Sequence, residues 1–367
     1  MTDLTAHATW REIQSQPAIW AGWADSADLA AAAAWVAVLT VDEVWFTGAG
    51  SSAYIGEMVV AGLEGQVGPR LRAVATTDLV ARPATYLRGT RPLVVSFGRS
   101  GNSAESLGTL DALDALAPDA PRLNITCNGE SALARRTGAH GHALILPAAT
   151  HDAGFAMTSS LTTMLLSALA IFDRSGGRPG KVAAAALAAR GLLPRLTEAA
   201  LATPVAQRIV FVGSGPLAFA ARESALKVME LTAGQVPALW DSTLGFRHGP
   251  KSFVRGDTAI VVLTSPDHPA ASYDADLAAE LRQQFPAARV TTLGPGGDLP
   301  IEMPDGAAWG APLAILFAQC LAVAWSAALG LNVDDPFAGQ GTLSRVVSGV
   351  RLYPVASAPA AAQGQGR

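Results

Sequence analysis

The chain has 367 residues, enough for two domains of ordinary size or one large domain. Half of its residues are hydrophobic and 15% are charged, which is typical of a well-buried globular protein and excludes a disordered one. The net charge of -4 gives no sign of a nucleic-acid partner. Cys127 and Cys320 lie in apolar sequence and are expected to be buried and reduced, as in a cytoplasmic protein. No export signal is predicted at the start.

In chain order, helices are predicted first, and strands that alternate with helices follow. Residues 5–40 are expected to be helical because "DLAAAAAWVAVL" consists of strong helix formers. Short apolar runs come next, in "VDEVWFTGAGSS", "RPLVVSFGRSGNSAES", "RLNITCN" and "ALILPA", and helical stretches are predicted at 103–116 and 158–174. Strands that alternate with helices indicate an α/β fold with a mostly parallel sheet.

The second half of the chain repeats the design of the first. "RIVFVGSGPLAFAARESALKVMEL" (208–231) mirrors "EVWFTGAGSSAYIGEMVVAGL" (43–63), since each is an apolar strand, a G-x-G turn and a helix. Gly48 precedes Val94 by 46 residues, and Gly213 precedes Val261 by 48. We therefore expect two copies of one α/β unit. The predicted organisation is an N-terminal helical arm (1–30), a first domain (31–185), an Ala/Gly/Pro-rich linker (near 175–205), a second domain (200–350) and a tail (351–367) whose end is expected to be disordered.

One stretch has the composition of a membrane span. Residues 307–330, "AAWGAPLAILFAQCLAVAWSAALG", are almost uncharged and long enough to cross a bilayer. The stretch is rich in alanine, however, contains Pro312 and Gln319, and has no Lys or Arg close by. We predict a central helix that is buried on most sides, and a spanning helix is the alternative.

Two Gly/Ser turns follow predicted strands and are candidate anion sites. In "TGAGSSAY" the glycines before a helix present free backbone N–H groups, although G-x-G alone fits a structural turn equally well. In "SFGRSGNSAES", Ser100, Asn102 and Ser103 offer hydroxyl and amide groups at a helix start. No lysine follows, so these groups suit a phosphate monoester better than a nucleoside triphosphate with magnesium. The alternative is that Ser103 only caps its helix.

A helix and a loop in the second half carry the other candidate groups. Glu223, Lys227 and Glu230 have i, i+4 and i+7 spacing and lie on one face of the helix predicted over 218–231. From the residues alone, a solvated stripe of salt bridges is the favoured interpretation. "GFRHGPKS" (245–252) is predicted to be a surface loop because of its glycines and proline, and its His248 is close enough in sequence to share a pocket with that helix. Histidines elsewhere lack metal-ligand spacing, and no metal site is predicted.

Together, "GAGSSA", "GRSGNSAES", "ARESALKVMEL" and "LGFRHGPKSF" resemble proteins with two sugar isomerase (SIS) domains. The most similar subgroup is that of the tagatose-6-phosphate ketose/aldose isomerases, AgaS, whose members include galactosamine-6-phosphate deaminases. "ATWREIQSQPAIW" and "RVVSGVRLYP" are also similar to this subgroup, so the resemblance covers nearly the whole chain. It implies an α/β protein with two tandem SIS-type domains, each a mostly parallel sheet flanked by helices.

A more distant resemblance, to the isomerase half of glucosamine-6-phosphate synthase, implies where the phosphate binds. The phosphate loops of the synthase match Ser52 and the run 100–103, and Arg99 stands where the synthase has a glutamine. The imine-forming lysine of the synthase falls near Arg345, and an arginine stays protonated and does not readily form an imine. The residues implied in substrate or phosphate binding are Ser51, Ser52, Arg99, Ser100, Asn102, Ser103 and Arg345.

The same resemblance implies three catalytic residues. The catalytic glutamate of the synthase matches Glu230, and its helix lysine matches Lys227. Its ring-opening histidine, which the neighbouring subunit donates, matches His248. Glu230 is thus expected to move a proton between sugar carbons, while Lys227 tunes Glu230 or stabilises negative charge on the substrate.

The function that this resemblance implies is conversion of galactosamine 6-phosphate to tagatose 6-phosphate and ammonia, by ring opening and proton transfer from C2 to C1. This chemistry requires no cofactor and no metal. The alternatives are isomerisation of a hexose 6-phosphate without deamination, deamination of glucosamine 6-phosphate, and a non-catalytic SIS protein that senses sugar phosphates. SIS active sites lie between subunits, so a cytoplasmic homodimer or higher oligomer is expected, with a sugar-phosphate ligand and no nucleic-acid or membrane partner.

Overall fold

Two parallel five-stranded sheets organise the computed structural model, which describes residues 3–341 and 343–355. In the first sheet the spatial order is β2-β1-β3-β4-β5, formed by β1 (Glu43–Thr47), β2 (Arg70–Ala73), β3 (Leu93–Gly98), β4 (Arg122–Thr126) and β5 (Gly141–Ile145). In the second the order is β10-β9-β8-β6-β7, formed by β6 (Arg208–Gly213), β7 (Ala238–Ser242), β8 (Thr258–Leu263), β9 (Arg289–Gly294) and β10 (Leu299–Pro300).

The two sheets have the same topology, which confirms the predicted duplication. Counted within each unit, the spatial order is second, first, third, fourth and fifth strand, and every pairing is parallel. The order reverses direction between the first and third strands, β1 and β3 in one unit and β6 and β8 in the other. In open α/β sheets of this order, ligands bind at that switch point, beyond the carboxyl ends of the strands.

Helices cover both faces of each sheet. They are α1 (Ala8–Trp23), α2 (Ala27–Ala37), α3 (Ser51–Leu63), α4 (Thr76–Ala81), α5 (Pro83–Leu87), α6 (Ala104–Leu116), α7 (Ala132–Arg135), α8 (Ser159–Phe172), α9 (Arg178–Ala202), α10 (Pro216–Leu231), α11 (Ala270–Gln284) and α12 (Ala307–Ala328). Single 3₁₀ turns form at Leu4–Ala6, Ala148–Thr150, Gly245–His248 and Pro250–Phe253.

The apolar helix α12 lies inside the protein. It is long and apolar enough to cross a membrane by composition, yet 94% of its most apolar window is buried. It packs against α10, α9 and α3, and the contact with α3 is close because a Cβ on Gly62 would meet the Ala308 Cβ at 2.4 Å. Its buried Gln319 accepts a hydrogen bond of 2.7 Å from Gln16 of α1, so the polar group in its middle is satisfied. The predicted central buried helix is therefore confirmed.

The interval between the two units differs from the prediction. Residues 175–205 were expected to form an Ala/Gly/Pro-rich linker, but most of them form the 25-residue helix α9. Alanine has the highest helix propensity, and a proline is tolerated in the first turn of a helix. Leu193 and Leu196 bury their side chains in the core, where α9 packs against α1 and α12. The domain limits 31–185 and 200–350 stay predictions, and residue 185 falls within α9.

The chain returns to the first unit after α12. Residues 343–355 contain no helix or strand, and they run along α6. Val347 accepts a hydrogen bond of 3.4 Å from the backbone N–H of Ala104, and Leu352 packs over Gly108. The predicted tail spans 351–367, and its residues 356–367, where disorder is expected, lie outside the described residues.

Candidate functional site

The carboxyl ends of β1 and β3 border the cavity that contains most of the predicted site residues. Gly50 has φ of +56°, a conformation that glycine adopts without strain, and it turns the chain from β1 into α3. Ser51 and Ser52 begin that helix, whose positive dipole end favours an anion, although the Ser52 N–H already donates to the Ala49 carbonyl at 3.2 Å. Both serines are buried.

The loop from Arg99 to Ser103 forms the second side of the cavity. Gly101 has φ of +64°, and a Cβ there would lie 2.4 Å from the Ser131 hydroxyl, so the loop requires glycine at this point. Ser103 caps α6, and its hydroxyl accepts a hydrogen bond of 3.3 Å from the backbone N–H of Ser106. Hydroxyls of Ser100 and Ser103 thus lie at the cavity, while the backbone N–H groups of Ala104 and Ser106 are already bonded, to the Val347 carbonyl and to the Ser103 hydroxyl.

An arginine in this loop fastens three segments of the chain together. The buried Arg99 side chain donates hydrogen bonds to the backbone carbonyls of Gly154 (3.2 Å), Phe155 (3.1 Å) and Arg345 (2.9 Å). The Arg345 side chain in turn donates to the carbonyl of Ala153 at 2.6 Å. The C-terminal segment 343–347 is thereby held beside the loop 151–158, and Arg99 uses these donors on the protein rather than leaving them free for a ligand.

The segment 151–158 is itself held by a buried carboxylate. Asp152 accepts hydrogen bonds from the backbone N–H groups of Thr158, Ser159 and Ser160, at 2.7, 3.0 and 3.1 Å, and so caps α8. This is the capping role that such a residue commonly has before a helix. The loop is thus anchored at α8 and held by Arg99 near its middle.

The carboxylates and the lysine of α10 form a buried cluster, so the interpretation as a solvated stripe is wrong. Lys227 and Glu223 are wholly buried, and their Nζ and Oε1 atoms are 3.3 Å apart. Lys227 also donates to Glu230, whose side chain is 24% exposed. Ser51 of α3 donates to Glu223 at 3.1 Å. The cluster therefore links Ser51 at the cavity, through Glu223 and Lys227, to Glu230, which is the member of the cluster with an exposed carboxylate.

A cavity of about 460 Å³ brings most of these residues together. Its lining includes residues from both units and from the C-terminal segment, so the site belongs to the whole chain. Of the predicted site residues, the following line the cavity: Ser51, Ser52, Arg99, Ser100, Ser103, Glu230 and Arg345. Lys227 is not part of the lining and lies beneath Glu230. Asn102 is exposed and outside the lining, and its side-chain oxygen accepts a hydrogen bond from the backbone N–H of Ala132 at 2.9 Å.

His248 lies away from this cavity in its own chain. It ends the 3₁₀ turn Gly245–His248 and is exposed. Its neighbours Arg247 and Lys251 both pair with Glu280 of α11, which fixes the turn on the second unit. These pairs also lower the pKa of Glu280, with the hydrogen bond from Lys251 as the largest cause. The loop thus presents His248 outward, and its cationic neighbours hold the loop.

The matching crevice of the second unit is filled by a side chain of the protein. Asp274 of α11 is wholly buried at the carboxyl ends of β6 and β8. Its carboxylate accepts hydrogen bonds from the Ser214 hydroxyl (2.6 Å), the backbone N–H of Ser265 (2.8 Å) and the Thr243 hydroxyl. The Asp274 carboxylate therefore fills this switch point, whereas the switch point of the first unit borders an open cavity.

Two parts of the site were missed by sequence reasoning. Glu223 was noticed only as a member of a charged stripe, because its spacing is the same for a solvated and a buried face. Within the segment 343–347 only Arg345 was expected at the site, from the resemblance; the other residues of the segment carry no periodicity that would place them beside the cavity. Among residues 3–341 and 343–355, no group of three or more His, Cys, Asp or Glu is placed to hold a metal ion.

We predict that Arg99→Gln loosens the C-terminal segment. The variant loses charge-assisted hydrogen bonds to three carbonyls, each worth about 1.5–3 kcal/mol. Hydrogen–deuterium exchange in peptides covering 343–347 should accelerate by about tenfold or more, since local opening scales with the lost free energy. Arg91→Gln, which removes a single exposed hydrogen bond to Asp119, is the matched control. Unchanged exchange in the Arg99 variant would contradict the fastening role.

Comparison with known proteins gives consistent matches. The SIS domain model matches residues 40–174. The D-galactosamine-6-phosphate deaminase AgaS of Escherichia coli is 41% identical over 324 residues, which cover 84% of each chain. The protein of the same name from Shewanella sp. (strain ANA-3) is 38% identical over 371 residues, which cover 96% of this chain and 94% of the relative. The crystal structure of tagatose-6-phosphate ketose/aldose isomerase from Escherichia coli superposes with a TM-score of 0.84 at 36% identity, over 96% of this chain and 99% of that one.

Proposed function

The chain belongs to the AgaS family, and from that premise we propose that it converts galactosamine 6-phosphate and water to tagatose 6-phosphate and ammonia. The observation that carries the proposal is the cavity in which the Glu230 carboxylate faces the serine-lined helix starts of α3 and α6. A base on one side and an anion site on the other suit a phosphorylated sugar with an acidic C–H bond. The two free, buried cysteines fit a reducing compartment, and we propose the cytoplasm.

The phosphate is proposed to bind where serine hydroxyls at the starts of α3 and α6 line the cavity. Ser52 at the start of α3 and Ser100 and Ser103 before α6 supply the donors, and both helix starts favour an anion. Binding energy from the phosphate, which lies remote from the reacting carbons, then serves to position C1 and C2 beside Glu230. Arg345 provides a fixed positive charge at the cavity in place of an imine-forming lysine.

The proposed reaction proceeds in three steps. His248 transfers a proton that opens the pyranose ring and yields the C1 aldehyde. Glu230 then removes the C2 proton while the aldehyde oxygen takes up a proton, which gives an enolamine. Glu230 returns the proton to C1 as the nitrogen forms the C2=N bond and gives up one of its protons, so that the products of this step are a C2 imine and a C1 alcohol. Water adds to C2 of the imine, and the C–N bond breaks to release ammonia and leave the ketone. Lys227, which is bound to Glu230, keeps the carboxylate oriented and neutralises part of the charge that develops.

His248 is proposed to act in the cavity of a second copy of the chain. The exposed side chains of Leu244 (47%) and Met229 (39%) support this arrangement. Leu244 directly precedes the His248 turn, and Met229 directly precedes Glu230 on α10. Exposed apolar side chains next to both halves of a divided site are the composition expected of a subunit contact. A dimer in which each copy inserts its His248 loop beside the other cavity would complete two sites.

A panel of sugar phosphates tests the proposal. Galactosamine, glucosamine, galactose and glucose 6-phosphates are each incubated with the protein, and ammonia and ketose are measured separately. We expect equal amounts of ammonia and tagatose 6-phosphate from galactosamine 6-phosphate. Ketose from the plain hexose phosphates alone would make the protein a simple isomerase. Thermal stabilisation by these ligands without any product would make it a sugar-phosphate sensor, and the proposal would then be wrong.

A further inference from the structure

The buried cluster of α10 contains one more carboxylate than the proposed reaction uses. Lys227 is wholly buried and contacts both Glu223 and Glu230. Glu223 is also wholly buried, and its Oε1 accepts a hydrogen bond from Ser51 at 3.1 Å. Its Oε2 has no hydrogen-bond partner within the part of the chain that the structure describes. A buried carboxylate oxygen without a donor is costly, so a role beyond packing is required to explain why this position is acidic.

The proposed reaction changes the charge of one member of this cluster, Glu230. When Glu230 accepts the proton from C2 it becomes neutral, and Lys227 loses that counter-ion while it stays buried. An ammonium without a partner in the interior costs several kcal/mol. When Glu223 is ionised, its Oε1, at 3.3 Å from the Lys227 Nζ, remains as a counter-ion during this step. Glu223 thereby lowers the free energy of the state in which Glu230 is protonated, because Lys227 still has a counter-ion in that state.

We propose that Glu223 is a positioning residue that shares Lys227 with Glu230 and so keeps Glu230 a sufficiently strong base. This inference rests on the proposed function, because it concerns the same proton transfer. Without the Glu223 charge, the whole field of Lys227 would act on Glu230 and hold its carboxylate in the ionised form. Such a carboxylate is a weaker base, and the C2 proton would be removed more slowly.

The surroundings of Glu223 contain few other charges. Its own helix provides Lys227 and Glu230. From α3, Ser51 donates to it and Tyr54 is the titratable group that its charge influences. The helix α12 packs against α10 and has no charged residue in its sequence. Arg222 of α10 and Glu57 of α3 pair with each other at 2.5 Å, and β7 carries Asp241. Besides burial, which has the largest effect, the groups that shift the pKa of Glu223 are Lys227, Glu230 and Ser51. The balance within the cluster is therefore set by three groups.

The titration of Glu223 supplies a measurable consequence. Burial raises the pKa of Glu223 to about 7, against the opposing effect of Lys227, and the Glu230 charge raises it further. As the pH falls through 7, Glu223 takes up a proton and becomes neutral. Glu230 is then the remaining counter-ion of Lys227 in this cluster. Turnover of the wild type should therefore fall on the acid side of neutrality, and this fall should depend on Glu223.

The test is the pH profile of kcat for galactosamine 6-phosphate, measured from pH 5.5 to 8.5 for the wild type, Glu223→Gln and Glu223→Asp. In Glu223→Gln we expect kcat at pH 8 to fall by about 10–100-fold, KM to change by less than about threefold, and the acid limb near neutrality to disappear. Glu223→Asp keeps a carboxylate one methylene shorter and should restore part of both kcat and the acid limb. Ser224→Ala, a buried neighbour whose hydroxyl only bonds Ala220 of its own helix, is the matched control and should match the wild type.

The outcomes separate this inference from the proposed function. A Glu223→Gln variant with the kcat and acid limb of the wild type would overturn the positioning role, even if Glu230→Gln is inactive. If Glu223→Gln does not fold, Glu223→Met, which keeps the length of the side chain without its charge, decides: a wild-type kcat and acid limb overturn the role, and a lower kcat without the acid limb supports it. A wild type that releases no ammonia from galactosamine 6-phosphate would overturn the proposed function itself.

Discussion

Replacement of Glu230 by glutamine should lower turnover of galactosamine 6-phosphate by about 10²–10⁴-fold, the range lost when a general base is removed. The amide keeps the shape of the side chain and its contact with Lys227, but it cannot accept the C2 proton. Ligand binding should change little, because the proposed phosphate site consists of serines at the helix starts on the far side of the cavity. The measurement is ammonia release under saturating substrate, together with the dissociation constant by calorimetry.

The control for this prediction is Glu198→Gln, which makes the same exchange at an exposed position of α9. It should retain the activity of the wild type. If Glu230→Gln released ammonia as fast as the wild type while remaining folded, the base would have to be another group. Loss of both binding and turnover would instead indicate that Glu230 organises the cavity and does not act on the substrate.

His248→Ala should also be nearly inactive, and its activity should return when it is mixed with Glu230→Gln. In a dimer with divided sites, a mixed pair of chains contains one site with an intact Glu230 and an intact His248. Random reassociation of equal amounts of two inactive variants should therefore restore about a quarter of the wild-type activity. The measurement is turnover before and after the two variants are denatured and refolded together.

The complementation has its own control. Each variant refolded alone should stay inactive, so any activity of the mixture must come from mixed dimers. Mixing His248→Ala with a second variant of the same kind, His248→Gln, should restore nothing. Failure of Glu230→Gln and His248→Ala to complement, in a sample shown to contain mixed dimers, would place both groups in the site of one chain or remove His248 from the reaction.

Much of the fold was predictable from the sequence because its signals are local. The strands are short apolar runs that end at glycine turns, and the recurrence of this pattern after Gly48 and Gly213 predicted two units. Both units do have the same strand order. The helix α9 was missed because a segment rich in alanine, glycine and proline was interpreted as a linker. The high helix propensity of alanine decides the structure once the helix can pack on α1 and α12.

The position of a site residue was predictable from the sequence only where the residues next to it in the chain determine that position. The serines of the helix starts line the cavity as expected, since the turn that precedes each helix fixes them. The burial of Glu223 and Lys227 was not predictable, because it depends on α3 and α12, which are distant in sequence and cover that face of α10. The structural role of Arg99 was not predictable for the same reason, since its hydrogen-bond acceptors are carbonyls of segments that are distant in sequence.

The most direct test of the central claim follows the hydrogen on C2. Galactosamine 6-phosphate labelled with deuterium at C2 is converted in ordinary water, and the position of the label in the product is read by NMR. Transfer by Glu230, whose side chain is 24% exposed, predicts tagatose 6-phosphate in which part of the deuterium has moved to C1 and the rest has been lost to solvent. A hexose 6-phosphate that still carries deuterium at C2 would contradict the account, because ammonia would then have been displaced without any proton transfer.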